Sequence, residues 1–252
     1  KARGGSPAAA AVNGQVLLFP DTTTNFNHPE LGIAAVVVIE KLGYQVILPK
    51  VKCCGRPMLS NGMIGAAKQN ISFNIDQIYP YIENGAKLVG IEPSCVLGFL
   101  GDFGDLVDDP GKTDAIAENT MLIEEFFLHA LENGSEVIFQ NAPKNQTAVL
   151  HGHCHQKALV GTSAAMRVLE HIPGLNASEV KSGCCGMAGS FGYLKDHYEI
   201  SMEIGEETLF PKLRNEDEDT LVITEGVSCR EQIEQGTGRK SKHLVQVLAE
   251  YL

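Results

Sequence analysis

Cys53-Cys54-Gly55 is followed by Cys95, and Cys184-Cys185-Gly186 is preceded by Cys154 and followed by Cys229. The adjacent pairs lie 131 residues apart and the trailing cysteines 134 apart, a near-constant register that marks an internal duplication. Thiolates bind soft metals and clusters or exchange disulfides. Neighbouring cysteines hold their sulfurs awkwardly around one tetrahedral zinc, which usually takes C-x2-C or wider spacing. A multi-iron cluster can use them on different irons, and the following glycine lets backbone N–H groups approach the sulfurs.

The second set supplies four thiols: Cys154, Cys184, Cys185 and Cys229. Beside the corresponding strand end of the first half stands Asp21, read as the counterpart of Cys154, so the first set reads Asp21, Cys53, Cys54 and Cys95. Around Cys154 stand His151, His153 and His155. His153 is a candidate ligand or proton donor; the default for such histidines is a hydrogen-bonded supporting role. Asp21 is a candidate ligand whose default is a helix cap or turn. Arg56, Lys157 and Arg230 each lie within a few residues of a cysteine and could offset the charge of a cluster. Gly186, Gly189 and Gly192 lack the dinucleotide-binding spacing and follow a poor strand, which argues against a nucleotide.

The elements that must carry these residues alternate. Expected strands lie at 16–19, 44–48, 87–91, 148–150, 178–180 and 220–224, with an extra one at 136–140. Expected helices lie at 29–42, 64–82, 114–131, 157–171, 195–213 and 242–251. The fold class is therefore α/β: two duplicated halves, each a small parallel sheet flanked by helices. Every cysteine group then sits just past the carboxyl end of a strand, where such sheets place ligands. Residues 1–15 read as a linker, 16–135 as the first repeat and 136–252 as the second. The helix face carrying Met121, Phe126 and Phe127 reads as core.

Composition narrows the function. The chain has 252 residues, a net charge of −11 and no basic cluster, which argues against nucleic acid and anionic membranes as partners. No apolar run approaches the ~20 residues of a membrane-spanning helix. An odd cysteine count in a chain of this length favours reduced thiols and a cytoplasmic setting over a disulfide scaffold.

The two Cys-Cys-Gly elements resemble the cysteine-rich CCG domain of heterodisulfide reductases, the glycolate oxidase iron–sulfur subunit and lactate-utilisation proteins. The likeness is closer to the C-terminal region of fused proteins that carry an FAD-binding oxidase domain and a ferredoxin-like domain, similar to D-lactate or D-2-hydroxyglutarate dehydrogenases. It rests on Phe19-Pro20-Asp21-Thr22, Cys53 to Pro57, Glu92 to Cys95, His151 to Ala158, Ser182 to Tyr193 and Ser228 to Gln232. The resemblance implies a four-iron four-sulfur (4Fe-4S) cluster of non-cubane form, or zinc in some members, at the cysteine motif. In the heterodisulfide-reductase pattern each motif ends in C-x-x-C; here the first of those positions is Glu92 in one half and Gly226 in the other.

The resulting expectation is an electron-transfer module of an FAD-linked 2-hydroxyacid dehydrogenase, with its cluster on Cys154, Cys184, Cys185 and Cys229. Cys53, Cys54, Cys95, Asp21 and His153 are the further candidate metal ligands. FAD would sit in an upstream domain outside this chain, the partners would be that domain and a ferredoxin-like one, and self-association would come through the full-length protein. The alternatives are a zinc-stabilised docking domain and a thiol–disulfide reductase module.

Overall fold

The computed structural model describes residues 13–252. Most of the expected linker lies outside the described residues. Its last part is tied to the fold: Asn13 donates to the Leu42 carbonyl at 3.0 Å, and Gln15 opens the first strand.

Strands β1 (Gln15–Leu18), β2 (Gln45–Ile47), β3 (Lys87–Gly90) and β4 (Thr120–Leu122) form one parallel sheet in the order β2-β1-β3-β4. Strands β5 (Gln146–Leu150), β6 (Leu175–Glu179), β7 (Leu221–Ile223) and β8 (Ser241–Lys242) form a second in the order β6-β5-β7-β8. The two orders are the same once renumbered, so the duplication read from the cysteines holds in the topology. Parallel neighbours require crossovers, and helices supply them on both faces.

Period-two alternation assigns each strand residue to a layer. Val16, Leu18 and Val89 face one core, while Leu17 and Leu88 face another. In the second sheet Ala148, Leu150 and Ile223 join that same first core, while Val149 and Val222 face a third. The sheets therefore share one central layer of helices: Pro29–Lys41 and Ile123–Glu132 from the first half, Ser163–Glu170 and Leu244–Tyr251 from the second. Ile64–Glu83 and Pro110–Glu118 cover the outer face of one sheet; Leu209–Asn215 and Val227–Thr237 cover that of the other.

Several expected elements are corrected. The helix at 114–131 is two helices separated by β4, because Asp109 and Pro110 start the first at its cap and the Glu125 carboxylate accepts from Leu122 N at 2.8 Å to start the second. No strand forms at 136–140; Val137 and Phe139 pack against the central core from irregular backbone. The helix at 157–171 is Cys154–Leu159 followed by Ser163–Glu170. The helix at 195–213 divides into a short 3-10 turn, Tyr198–Glu207 and Leu209–Asn215. The last helix starts at Leu244 because Ser241 and Lys242 are β8.

A shared core predicts joint unfolding. Leu248→Ala removes a fully buried side chain from the central layer and is expected to cost about 2–5 kcal/mol. Denaturant titration followed by far-UV circular dichroism should show one cooperative transition moving to lower concentration; two transitions, with one unmoved, would contradict a shared core.

Candidate metal centre

Each cysteine group sits where a strand gives way to a loop or helix. Cys154 and Cys229 lie in the first turns of the helices that follow β5 and β7, and Cys95 lies in the short helix Pro93–Val96 after β3. The adjacent pairs occupy the loops after β2 and β6. There Gly55 and Gly186 adopt φ of 92° and 100°, conformations that disfavour a side chain. A Cβ on Gly186 would also overlap the Ser201 carbonyl oxygen.

A cavity of about 490 Å³ opens on these loops. It is lined by Cys154, Cys184, Cys185 and Cys229 and also by Cys95 and Glu92 of the first half. Cys53, Cys54 and Asp21 do not line it. The four thiols of the second half adjoin in sequence: Cys154 donates to Cys184, and the single S–H of Cys185 is shared between Cys184 and Cys229. Cys184 is pulled below the ordinary thiol value by these bonds and by the Gly186 N–H, at 3.3 Å. Cys229 is pulled well below it by the Cys185 bond first, against burial, with His151 and His153 adding. Cys154 and Cys185, as donors, are pushed up.

The first half is built differently. Cys54 and Cys95 sulfurs lie 3.2 Å apart. Cys53 is pushed up by donating to Cys54 and by burial. Cys54 accepts from Cys53, which pulls it down, but its donation to Cys95 and then burial push it up overall; Cys95 accepts from Cys54, and burial with the charges of Asp21 and Glu92 outweighs that. All three are driven towards the neutral thiol. Two thiols of the second half are driven the other way.

Strand pairing refines the equivalence of the halves. Phe19 N donates to Val89 O as His151 N donates to Ile223 O, which aligns Asp21 with His153 and Thr22 with Cys154. Both aligned pairs behave alike. Asp21 caps its helix, its two carboxylate oxygens taken by Thr24 N and the Thr24 hydroxyl; His153 caps its own, with Nδ1 accepting from His155 N at 3.2 Å. Thr22 is hydrogen-bonded to Cys53 as Cys154 is to Cys184. A hydroxyl therefore stands where the second half has its outermost thiol, one residue beyond Asp21.

The charged side chains near the cysteines hold loops together. Lys157 donates to the carbonyls of Ser182 and Gly183, at 2.7 and 3.3 Å, joining the helix of Cys154 to the loop before Cys184. His151 Nδ1 lies 2.9 Å from the Ser182 hydroxyl across the same gap. Arg56 pairs with Asp102, and Arg230 donates to the Glu225 carbonyl at 2.7 Å. Glu92 accepts from Ser94 in its own loop and from Val227 N of the other half at 2.9 Å, so a carboxylate spans the seam where the C-x-x-C pattern has a thiol. In the sequence Glu92 stands out only as a departure from a pattern. Sequence reasoning misses Glu124 and Glu225 altogether, since nothing in a single acidic residue signals that it is buried against another.

Thiols gathered by strand-end loops of a duplicated parallel α/β chain, on a cavity that both halves line, define a cysteine-rich module. The chain belongs to the CCG family of cysteine-rich domains, which it matches twice, over residues 20–99 and 148–234. It is 30% identical over 242 residues to a subunit of the anaerobic glycerol-3-phosphate dehydrogenase of Escherichia coli strain K12, covering 94% of this chain and 59% of that protein. It is 26% identical over 239 residues to the D-2-hydroxyglutarate dehydrogenase of Pantoea ananatis, covering 94% of this chain and 22% of that one. Lactate utilization protein A of Bacillus subtilis is 28% identical over 249 residues, covering 94% and 98%. The chain thus spans only part of two of these relatives. No helix among the described residues is long and apolar enough to cross a membrane.

Gly226 explains its own departure from the C-x-x-C pattern. A Cβ there would overlap His153 Cδ2 and lie 3.3 Å from the Cys229 sulfur. Gly226→Ala is expected to destabilise by about 1–3 kcal/mol through overpacking. His153→Ala in the same chain should recover most of that loss in a double-mutant cycle; additive losses would show that His153 does not fill the space.

Proposed function

We propose that this chain is the cluster-binding, electron-transferring module of a larger FAD-linked dehydrogenase, with its cofactor held by Cys154, Cys184, Cys185 and Cys229. The observation that carries the reading is the contiguous run of four thiols on one cavity. Among the described residues no three or more His, Cys, Asp or Glu side chains converge as a single ion requires. Sulfurs strung along a wall of this cavity suit a cofactor of several metal atoms better than one zinc.

An iron–sulfur cluster of the four-iron type, when bound, supplies reversible one-electron chemistry. The residues of this chain do the rest. Backbone N–H groups of His155, Gly186, Met187 and Ala188 point at the sulfurs and stabilise them as thiolates. Buried Cys185 and Cys229 exclude water from the inner wall, while exposed Cys154 stands at the mouth. Lys157 and His151 fix the spacing between the Cys154 and Cys184 loops. Cys95 and Glu92 bring the first half to the cavity edge, while Cys53 and Cys54 support that half without reaching the cavity.

The reaction on the 2-hydroxy acid belongs in this reading to a flavin domain outside the chain, which would pass electrons through ferredoxin-type clusters to this site. The names of the relatives, a dehydrogenase subunit and a whole dehydrogenase among them, support a redox assembly.

Iron and acid-labile sulfide should be present in protein purified anaerobically and fall at least tenfold in Cys184→Ser and Cys229→Ser. Cys53→Ser should retain the wild-type content. Stoichiometric zinc without sulfide would defeat the proposal, and equal loss in all three variants would show one cofactor spanning both halves.

A further inference from the structure

Two carboxyl groups are buried face to face at the seam. Glu124 lies in the central helix Ile123–Glu132 and Glu225 lies two residues past the end of β7, and each is 1% exposed. Gln156 Nε2 donates to Glu124 Oε1 at 2.6 Å. The other three oxygens, Glu124 Oε2 and both of Glu225, have no N–H or O–H donor. Two ionised carboxylates are acceptors only and repel; one proton between them supplies the missing donor and removes the repulsion.

The duplication shows that this pair is a departure. The capping contacts match Leu122 N on Glu125 with His243 N on Gln246, both at 2.8 Å, which aligns Glu124 with Val245. The strand ladders align Glu225 with Ile91. Val245 and Ile91 are both buried in the central core. The same fold therefore fills one of two equivalent places with an apolar pair and the other with an acid pair, although an apolar replacement of buried charge is often neutral or stabilising.

The acid pair adjoins the thiol site by two routes. Gln156, which holds Glu124, also accepts from His153 N at 3.1 Å. Glu225 is bonded to Gly226, the residue against which His153 and Cys229 pack. The charged groups around the pair are Glu125 on the same helix, Glu92 from the first half and Arg230, whose guanidinium holds the Glu225 carbonyl.

We propose that Glu124 and Glu225 form one proton-binding site at the seam, holding a proton at neutral pH and taking up a second when the thiol site gains an electron. The second part rests on the redox reading above. In that step the electron comes from the donor domain and the proton from solvent, so the summed charge of pair and centre is unchanged. Burial raises both carboxyls: Glu124 to about 7, and Glu225, with the charge of Glu124 added, well above the ordinary value.

The test copies the other half of the molecule: Glu124→Val with Glu225→Ile. The double variant should fold, since that pair already packs at the equivalent place. Groups with raised folded values contribute stability that is present at low pH and lost as pH rises. Relative to the double variant, wild type should therefore lose stability from about pH 4.5 through pH 7, its unfolding constant rising up to about tenfold per pH unit for each proton released. Infrared spectra at pH 7 should contain a protonated carboxyl band, absent from the double variant and shifted in Glu225→Gln. No such band, or a pH dependence equal in both proteins, would overturn the proton site; should the double variant fail to fold, Glu124→Gln and Glu225→Gln carry the same comparison. In protein loaded with its cluster, the midpoint potential should fall with pH towards about 59 mV per unit in wild type and stay flatter in the variant. Equal slopes would overturn the coupling alone, and absence of any redox-active centre would sink the redox reading while the infrared result still decides the proton site.

Discussion

Both faces of both sheets must be covered, because every strand is parallel and its side chains alternate between two apolar layers. One chain meets that demand by placing a single helical layer between two sheets and one helical layer outside each. The central layer is the constraint on which the rest depends. Leu31, Val38 and Phe126 from one half pack with Val168, Leu244 and Leu248 from the other, so neither sheet is covered without its duplicate. With the halves locked, their strand-end loops open on one cavity, and Glu92 reaches Val227 across the seam. His243 adds a second crossing, its Nε2 lying 2.9 Å from the Ile91 carbonyl, where burial holds the imidazole neutral with its value down at about 3.

Much of this was legible in the residues. The register of the Cys-Cys-Gly pairs gave the duplication, and the apolar runs Val16 to Leu18, Leu88 to Val89 and Val149 to Leu150 gave the inner strands. The edge strands β4 and β8 were not legible, since two or three residues cannot display a period of two. Thr120 to Leu122 was absorbed into a helix because the residues on either side carry helical periodicity. The strand at 136–140 failed for the opposite reason: Val137 and Phe139 alternate as a strand would, but pack against the central core without a ladder partner.

At the site, residue types were legible and partnerships were not. Asp21 is not the counterpart of Cys154: the cysteine pairs are 131 residues apart but the matching strand ends 132, because loop lengths in the two halves differ by a residue. Only the strand ladder reveals that the cap matches the cap and that Thr22 takes the thiol position. That shift changes the chemistry of the first half. Its acidic residue is spent on a helix terminus, and its fourth position is a hydroxyl, a weak ligand for soft metals. Its three thiols are all pushed towards the neutral form, and Cys95 and Glu92 are the residues by which it reaches the cavity lined by the other four thiols.

The duplicated frame also separates what the fold needs from what the site needs. Where equivalent positions agree, as in the glycine after each cysteine pair or the matched capping contacts, the fold dictates the residue. Where they differ at equal burial, packing cannot be the reason. Ile91 and Val245 fill the equivalent place with apolar side chains, so the carboxyls of Glu225 and Glu124 are there despite the cost of burying them. Each pair bridges the seam, with Glu124 and Ile91 from the first half and Glu225 and Val245 from the second, and it is the acid pair that adjoins the loops of the four-thiol site. Four thiols and the histidines beside them thus belong to one copy, while the other copy contributes Glu124 to the acid pair and Cys95 and Glu92 to the cavity.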